Sequence, residues 1–167
     1  TAWPTNYSGY KLVVILMPAA SFSAAQANAL TSFVNSGGRL VVSGDYGTGT
    51  GFQPWNNRVN SLMTSMGVPL SLGNTVISGG GCGSTSSIVA DDVTSGISNV
   101  YIAASNSVSG GTPLIYYAGN VVAAVAQPNS VGNARTPYDV VLFGDTNLLL
   151  GSCGGYNAQN SNAGMWQ

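Results

Sequence analysis

The chain contains no histidine and no glutamate, and its five acids are all aspartate. Without imidazole there is no Ser–His or Cys–His pair, and the commonest metal ligand is missing. The basic residues are four, Lys11, Arg39, Arg58 and Arg135, and the net charge is −1. Nucleic acid is held by clustered Lys and Arg that neutralise phosphates, and anionic lipid by a basic face, and the sequence offers neither. No apolar run approaches the ~18 residues of a membrane-spanning helix. The two cysteines, Cys82 and Cys153, make a poor metal site without imidazole partners. They lie in glycine-rich stretches, Gly79-Gly80-Gly81-Cys82-Gly83 and Gly151-Ser152-Cys153-Gly154-Gly155. A disulfide is the simpler reading, worth about 3–5 kcal/mol, with two unpaired thiols as the alternative.

What is present is a core-forming chain with an uncharged polar surface. Hydrophobic residues make up 44%, enough for one domain with a real interior. Charged residues make up 5%, against about 25% in ordinary globular domains, so Ser, Thr, Asn, Gln and Gly must cover the outside. Such a surface barely responds to pH or salt. It reads as extracellular or cell-surface, with lineage bias in composition as the alternative. Asn6-Tyr7-Ser8 is a glycan acceptor sequon. The chain opens at Thr1 without a leader and stops at Met165-Trp166-Gln167 in what reads as the first turns of a helix. We expect residues 1–167 to form a single domain, a piece of a longer polypeptide whose signal lay upstream.

Residues 11–17, Lys-Leu-Val-Val-Ile-Leu-Met, are a strand-length apolar run of the kind buried in parallel sheets. Ser23-Ala24-Ala25-Gln26 matches a capping box, and Ala27, Leu30, Phe33 and Val34 follow at helical spacing. Gly37-Gly38 stops that helix, and a strand runs over Leu40–Ser43. Pro54 starts a second helix with Trp55, Val59, Leu62, Met63 and Met66 on one face. Residues 73–90 read as Gly/Ser-rich loop with one short strand at Thr75–Ser78. A helical turn at 92–97 precedes a strand at Val100–Ala104. Leu114–Tyr117 and Val121–Ala126 form a hairpin around Ala118-Gly119-Asn120. Tyr138–Phe143 is a last apolar strand, ending in Gly144-Asp145-Thr146-Asn147, with helix expected at Leu148–Leu150 and 156–167.

The run Tyr10–Leu16, the capped helix ending Phe33-Val34-Asn35-Ser36-Gly37-Gly38, and Arg39-Leu40-Val41-Val42 together resemble the class I glutamine amidotransferase-like superfamily. So do Val93-Thr94-Ser95-Gly96-Ile97 and Phe143-Gly144-Asp145-Thr146-Asn147, which are similar to segments of its extracellular, sugar-related branches. The resemblance covers about residues 8–167 and places a first strand and helix upstream of Thr1. It implies an α/β, three-layer flavodoxin-like sandwich with a mostly parallel central sheet, to which the hairpin is added. In catalytic members the turn after this second strand carries a cysteine nucleophile in Gly-x-Cys-x-Gly, served by a later histidine and carboxylate. Here the turn reads Gly44-Asp45-Tyr46-Gly47, and no base exists. Glutaminase or cysteine-peptidase chemistry therefore falls away, and no catalytic residue is assigned.

Asp45 and Asp145 each follow an apolar strand at a Gly-Asp step. In a parallel sheet both sit at the carboxyl edge, where ligands bind. One reading makes Asp45, Asp145, Asn147 and Tyr46 a ligand or cation site, Ca²⁺ being the fitting ion, with Asp91 and Asp92 as possible contributors. Another makes the two carboxylates an acid and base pair. The simpler reading is that each caps a helix or accepts loop N–H bonds. Gly47-Thr48-Gly49-Thr50-Gly51 lacks the Lys and Ser/Thr of a phosphate loop and reads as plain loop. Tyr46, Phe52 and Trp55 are expected to cluster beside the glycine turn, as core or as a sugar-stacking rim.

These readings add up to a non-catalytic extracellular or cell-surface domain with a structural, assembly or adhesive role and no obligatory cofactor. Its partners are other protein subunits or surface glycans, with self-assembly included. A carbohydrate- or Ca²⁺-binding module at the Asp45/Asp145 edge is the first alternative. A hydrolase using those two residues is the second.

Overall fold

The computed structural model describes residues 3–47, 49, 51–77, 83–128 and 139–150, with the side chains of 149 and 150 excepted. The apolar run becomes strand β1 (Leu12–Leu16). Helix α1 (Ala24–Asn35) then starts at a complete capping box: the Ser23 hydroxyl accepts from the Gln26 N–H, and the Gln26 side chain accepts from the Ser23 N–H. Ala27, Leu30, Phe33 and Val34 are its buried stripe. Strand β2 (Arg39–Ser43) and helix α2 (Gln53–Ser65) follow. Pro54 sits in the first turn of α2, where its missing N–H costs nothing. Six strands come next: β3 (Ser71–Leu72), β4 (Gly83–Thr85), β5 (Val100–Ile102), β6 (Val108–Ser109), β7 (Thr112–Tyr117) and β8 (Asn120–Ala126). Strand β9 (Val140–Phe143) and the short helix α3 (Asn147–Leu150) end the described chain.

Among the described residues the main sheet has five strands in the order β1-β2-β9-β8-β7. β1, β2 and β9 run parallel, whereas β9–β8 and β8–β7 are antiparallel. The β7–β8 hairpin turns through Ala118 and Gly119, both at positive φ (49° and 77°), as a two-residue loop of the mirror-image type requires. Two small ribbons, β3–β6 and β4–β5, stand beside the sheet.

Alternation along the strands divides the core in two. Ile15, Leu40, Val42, Val140 and Leu142 pack against Leu30, Val34, Val59, Leu62 and Met63 of the helices. Val41, Val141, Phe143 and Val122 face the other way, against Val100, Ile102, Leu114 and Leu148. Thus α1 and α2 cover one face, and β5 with α3 stands over the opposite one.

This corrects the expected three-layer flavodoxin-like sandwich. That architecture needs helices on both faces of a mostly parallel sheet. Here two of the four pairings in the main sheet are antiparallel. The physical reason lies beyond residue 73: Gly/Ser-rich segments offer no apolar periodicity long enough for a covering helix, and they form ribbons instead. The strand expected at Thr75–Ser78 reduces, over its described residues, to one bridge between Ile77 and Ser105. The 92–97 segment forms turns, closed by Thr94 N–H to the Asp91 carbonyl and Ile97 N–H to the Thr94 carbonyl. Cys82, Cys153 and the helix expected at 156–167 lie outside the described residues. Among the described residues, no helix is long and apolar enough to cross a membrane.

Candidate functional site

Strands β2 and β9 are parallel neighbours, so their carboxyl ends share one edge of the sheet. Both Gly-Asp steps are therefore brought together. The glycines are there for close approach: a Cβ on Gly44 would run into Leu72 and Asn56, and one on Gly144 into the Asn106 carbonyl and the Ser105 hydroxyl. The Gly44 N–H bonds the Phe143 carbonyl at 3.0 Å, and the Gly144 N–H bonds the Val122 carbonyl at 2.9 Å, locking the two turns to the sheet.

Asp45 is buried, and both its carboxylate oxygens are occupied. Oδ1 accepts from the Tyr46 N–H at 2.8 Å and Oδ2 from the Thr146 hydroxyl at 2.6 Å. Its backbone is gripped by Asn56 of α2, whose amide accepts from the Asp45 N–H at 3.0 Å and donates to the Asp45 carbonyl at 2.7 Å. Asn106 adds a donor to the same carbonyl at 3.3 Å. Asp145 is fully buried. Its Oδ1 accepts from the Asn147 N–H at 2.8 Å, the local turn that opens α3, and its Oδ2 accepts from the Ala103 N–H at 2.9 Å.

The electrostatics follow from burial. Desolvation raises the Asp145 pKa from 3.8 to about 7; the N–H bonds from Asn147 and Ala103 pull the other way, and the nearby Asp45 charge adds to the rise. Asp45 is also raised by burial, against the opposing bonds from Thr146 and Tyr46. Two N–H donors on Asp145 suit an ionised carboxylate, so burial and hydrogen bonding conflict there, and burial is the larger effect.

Of the four residues singled out from sequence, the two carboxylates come to one edge, and the other two serve them through local backbone N–H bonds. Asp45 and Asp145 share the edge, Tyr46 follows Asp45 in the turn, and Asn147 opens α3. The Tyr46 ring meets Phe52 edge-on with centroids 4.9 Å apart, and Phe52 meets Trp55 at 5.4 Å, so the expected aromatic cluster forms. Asp91 and Asp92 go elsewhere: Asp91 closes its own turn on the Val93 N–H, and Asp92 pairs with Arg39 at 2.9 Å. Neither Asp45 nor Tyr46 has positive φ, so the turn does not have the strained backbone of a nucleophile elbow. Among the described residues, no group of three or more acidic, Cys or His side chains is placed to hold a metal ion. The arrangement does structural chemistry: each carboxylate ties one strand end to a neighbouring loop. A cleft of about 440 Å³ opens elsewhere, between segment 5–11 and the end of α1, lined by Tyr7, Lys11, Phe33 and Ser36 among others, and by none of the four residues.

Sequence reasoning missed Asn56, Asn106 and Thr146. Asn56 stands one place from Trp55 on a helix read only for its apolar stripe. Its one signal was an uncharged amide next to that stripe, too common to single out.

No family model and no curated protein matches the chain. Among solved structures, the fold is similar to one titled "mmIFT52 N-terminal domain", with a TM-score of 0.66 and 14% sequence identity, over 95% of this chain and 74% of that one. At that identity the likeness concerns the fold alone. It replaces the resemblance to the class I glutamine amidotransferase-like superfamily, which rested on short patterns that many strand–helix–strand units share. The extracellular or cell-surface setting and the structural or adhesive role go with it, as do the carbohydrate- or Ca²⁺-module and hydrolase alternatives. Among the described residues the chain is an α/β domain with two helices on one face of a mixed sheet, a fold similar to that of an IFT52 N-terminal domain.

Proposed function

We propose that this chain is a protein-interaction domain, working as a subunit of a protein assembly. The observation that carries the reading is strand β1. Among the described residues it stands at the end of the sheet order, and Leu12, Val14 and Leu16 are 43%, 39% and 37% exposed along it. Three large apolar side chains in a row on an outer strand form an unusual surface for a domain that works alone. The fold match supports the same reading, because IFT52 is a component of intraflagellar transport. The absence of histidine and glutamate, and the occupied oxygens of Asp45 and Asp145, argue against a catalytic role.

The test is site-specific photo-crosslinking in the full-length chain in its own cells. A crosslinker at position 14 is expected to give discrete protein adducts, identified by mass spectrometry, that disappear when Leu12 and Leu16 are both changed to Asp. A crosslinker at Ser61, exposed on α2, is expected to give none. Equal or absent adducts at both positions would overturn the reading.

A further inference from the structure

Resting on that reading, we infer that the occupant of the β1 edge is a second copy of this chain, paired antiparallel about a two-fold axis at Val14. Backbone geometry comes first. The Arg39 N–H bonds the Lys11 carbonyl at 2.9 Å and the Met17 N–H bonds the Ser43 carbonyl at 3.1 Å. In a parallel pair such bonds involve alternate residues, so Lys11, Val13, Ile15 and Met17 turn toward β2. Leu12, Val14 and Leu16 therefore present their N–H and C=O groups at the outer edge. The register with β2 is unbroken from Leu12 to Leu16. No bulge, proline or charge within those residues blunts the edge, as free edges usually require.

The sequence of the strand is self-complementary. Leu12-Val13-Val14-Ile15-Leu16 reads nearly the same in both directions about Val14. Antiparallel pairing of two copies sets Val14 against Val14 and Leu12 against Leu16. Both are hydrogen-bonded pairs, because all three residues point outward. The apolar side chains then align on one face: Leu12, Val14 and Leu16 continue as Leu16, Val14 and Leu12 of the second copy. Tyr10, 63% exposed and two residues before Leu12, extends the stripe at each end. On the opposite face Val13 meets Ile15. Every pairing about that axis from 12 to 16 sets apolar against apolar, so the strand is complementary to itself, as an isologous interface requires.

Charge fits the same occupant. Lys11 is the only charged residue among the first 38, so an acidic strand would find one cation and a basic strand no anion. In the two-fold pair each Lys11 faces Met17. The two ammonium groups then stand about 20 Å apart, beyond the screening length at physiological salt. A five-residue strand offers less contact than a standard interface, so the dimer is weak and depends on concentration.

Sedimentation equilibrium tests this on the full chain. The wild type is expected to move from monomer to dimer as concentration rises. Val14→Lys and Val14→Glu are each expected to stay monomeric, with at least about tenfold weaker association, because position 14 faces itself and like charges meet. Mixing the two variants is expected to restore a one-to-one dimer. A wild type monomeric at millimolar concentration, a dimer indifferent to Val14→Lys, or a mixture that stays monomeric would each overturn the proposal. Hydrogen exchange on the unaltered chain gives an independent reading. The amides of Leu12, Val14 and Leu16 should gain protection as concentration rises. Protection that is absent, or complete at every dilution, would overturn it, the latter by assigning the edge to a strand of the same polypeptide. A discrete crosslinked adduct with a different protein would also overturn the second copy while leaving the interaction-domain reading intact.

Discussion

At the scale of single residues, Asp145 decides how the fold responds to pH. Its folded pKa, about 7, lies above the ordinary 3.8, so the folded state holds the proton more tightly than the unfolded chain. The stabilisation is complete below about pH 4, declines as pH rises toward 7, and is flat above that. Asp45, shifted in the same direction, adds to the decline. Urea unfolding between pH 4 and 7 should therefore show stability falling with pH, by a few kcal/mol at most. Asp145→Asn should flatten most of that slope. It should also cost about 1–3 kcal/mol at pH 4.5, because its NH₂ must face one of the two N–H donors. An unchanged slope would remove Asp145 as its source. Asn56→Ala leaves the buried Asp45 N–H without its partner and the Asp45 carbonyl with only the longer bond from Asn106. A loss of about 2–3 kcal/mol in the same assay is expected, and a loss under 0.5 would mean the turn is held by the sheet alone.

At the scale of elements, the parts legible in the sequence were those with a strong local code. The Ser23–Gln26 box placed the start of α1 to the residue, and the glycine pair after Ser36 placed its end. The continuous apolar runs became β1, β2 and β9; β2 and β9 are covered on both faces as such runs imply, whereas β1, read the same way, leaves Leu12, Val14 and Leu16 exposed. The ribbons were not legible. β4 is Gly83-Ser84-Thr85, a composition indistinguishable from loop, and it is held by pairing with β5 rather than by its own propensity. The layer arrangement failed for a related reason. Parallel neighbours β1 and β2 predict helices nearby but do not say which face they cover. The Asp45/Asp145 edge was legible from the repeated Gly-Asp step, whereas its saturation by Thr146, Tyr46, Ala103 and Asn147 depended on loops that no spacing rule places. The hairpin offers a test at this scale. Ala118 holds positive φ, which costs a residue with a Cβ but suits Asn. Ala118→Asn should raise stability by about 0.5–1 kcal/mol, read as a higher melting temperature. A lower one would mean that the turn geometry is held against a different constraint.

At the scale of the whole molecule, most devices point inward and one points out. Core, caps and buried carboxylates close the helix face and the carboxyl edge, while among the described residues β1 leaves a row of outward N–H and C=O groups beneath an exposed apolar stripe. With a net charge of −1, little long-range repulsion keeps a partner away from it. This edge is where we propose that the domain meets protein. That contact is tested most directly by photo-crosslinking from position 14 in the full-length chain. Discrete protein adducts are expected from position 14, none from Ser61 on α2, and none from position 14 once Leu12 and Leu16 become Asp. Adducts equally abundant from both positions, or none from position 14 in a folded chain, would contradict it.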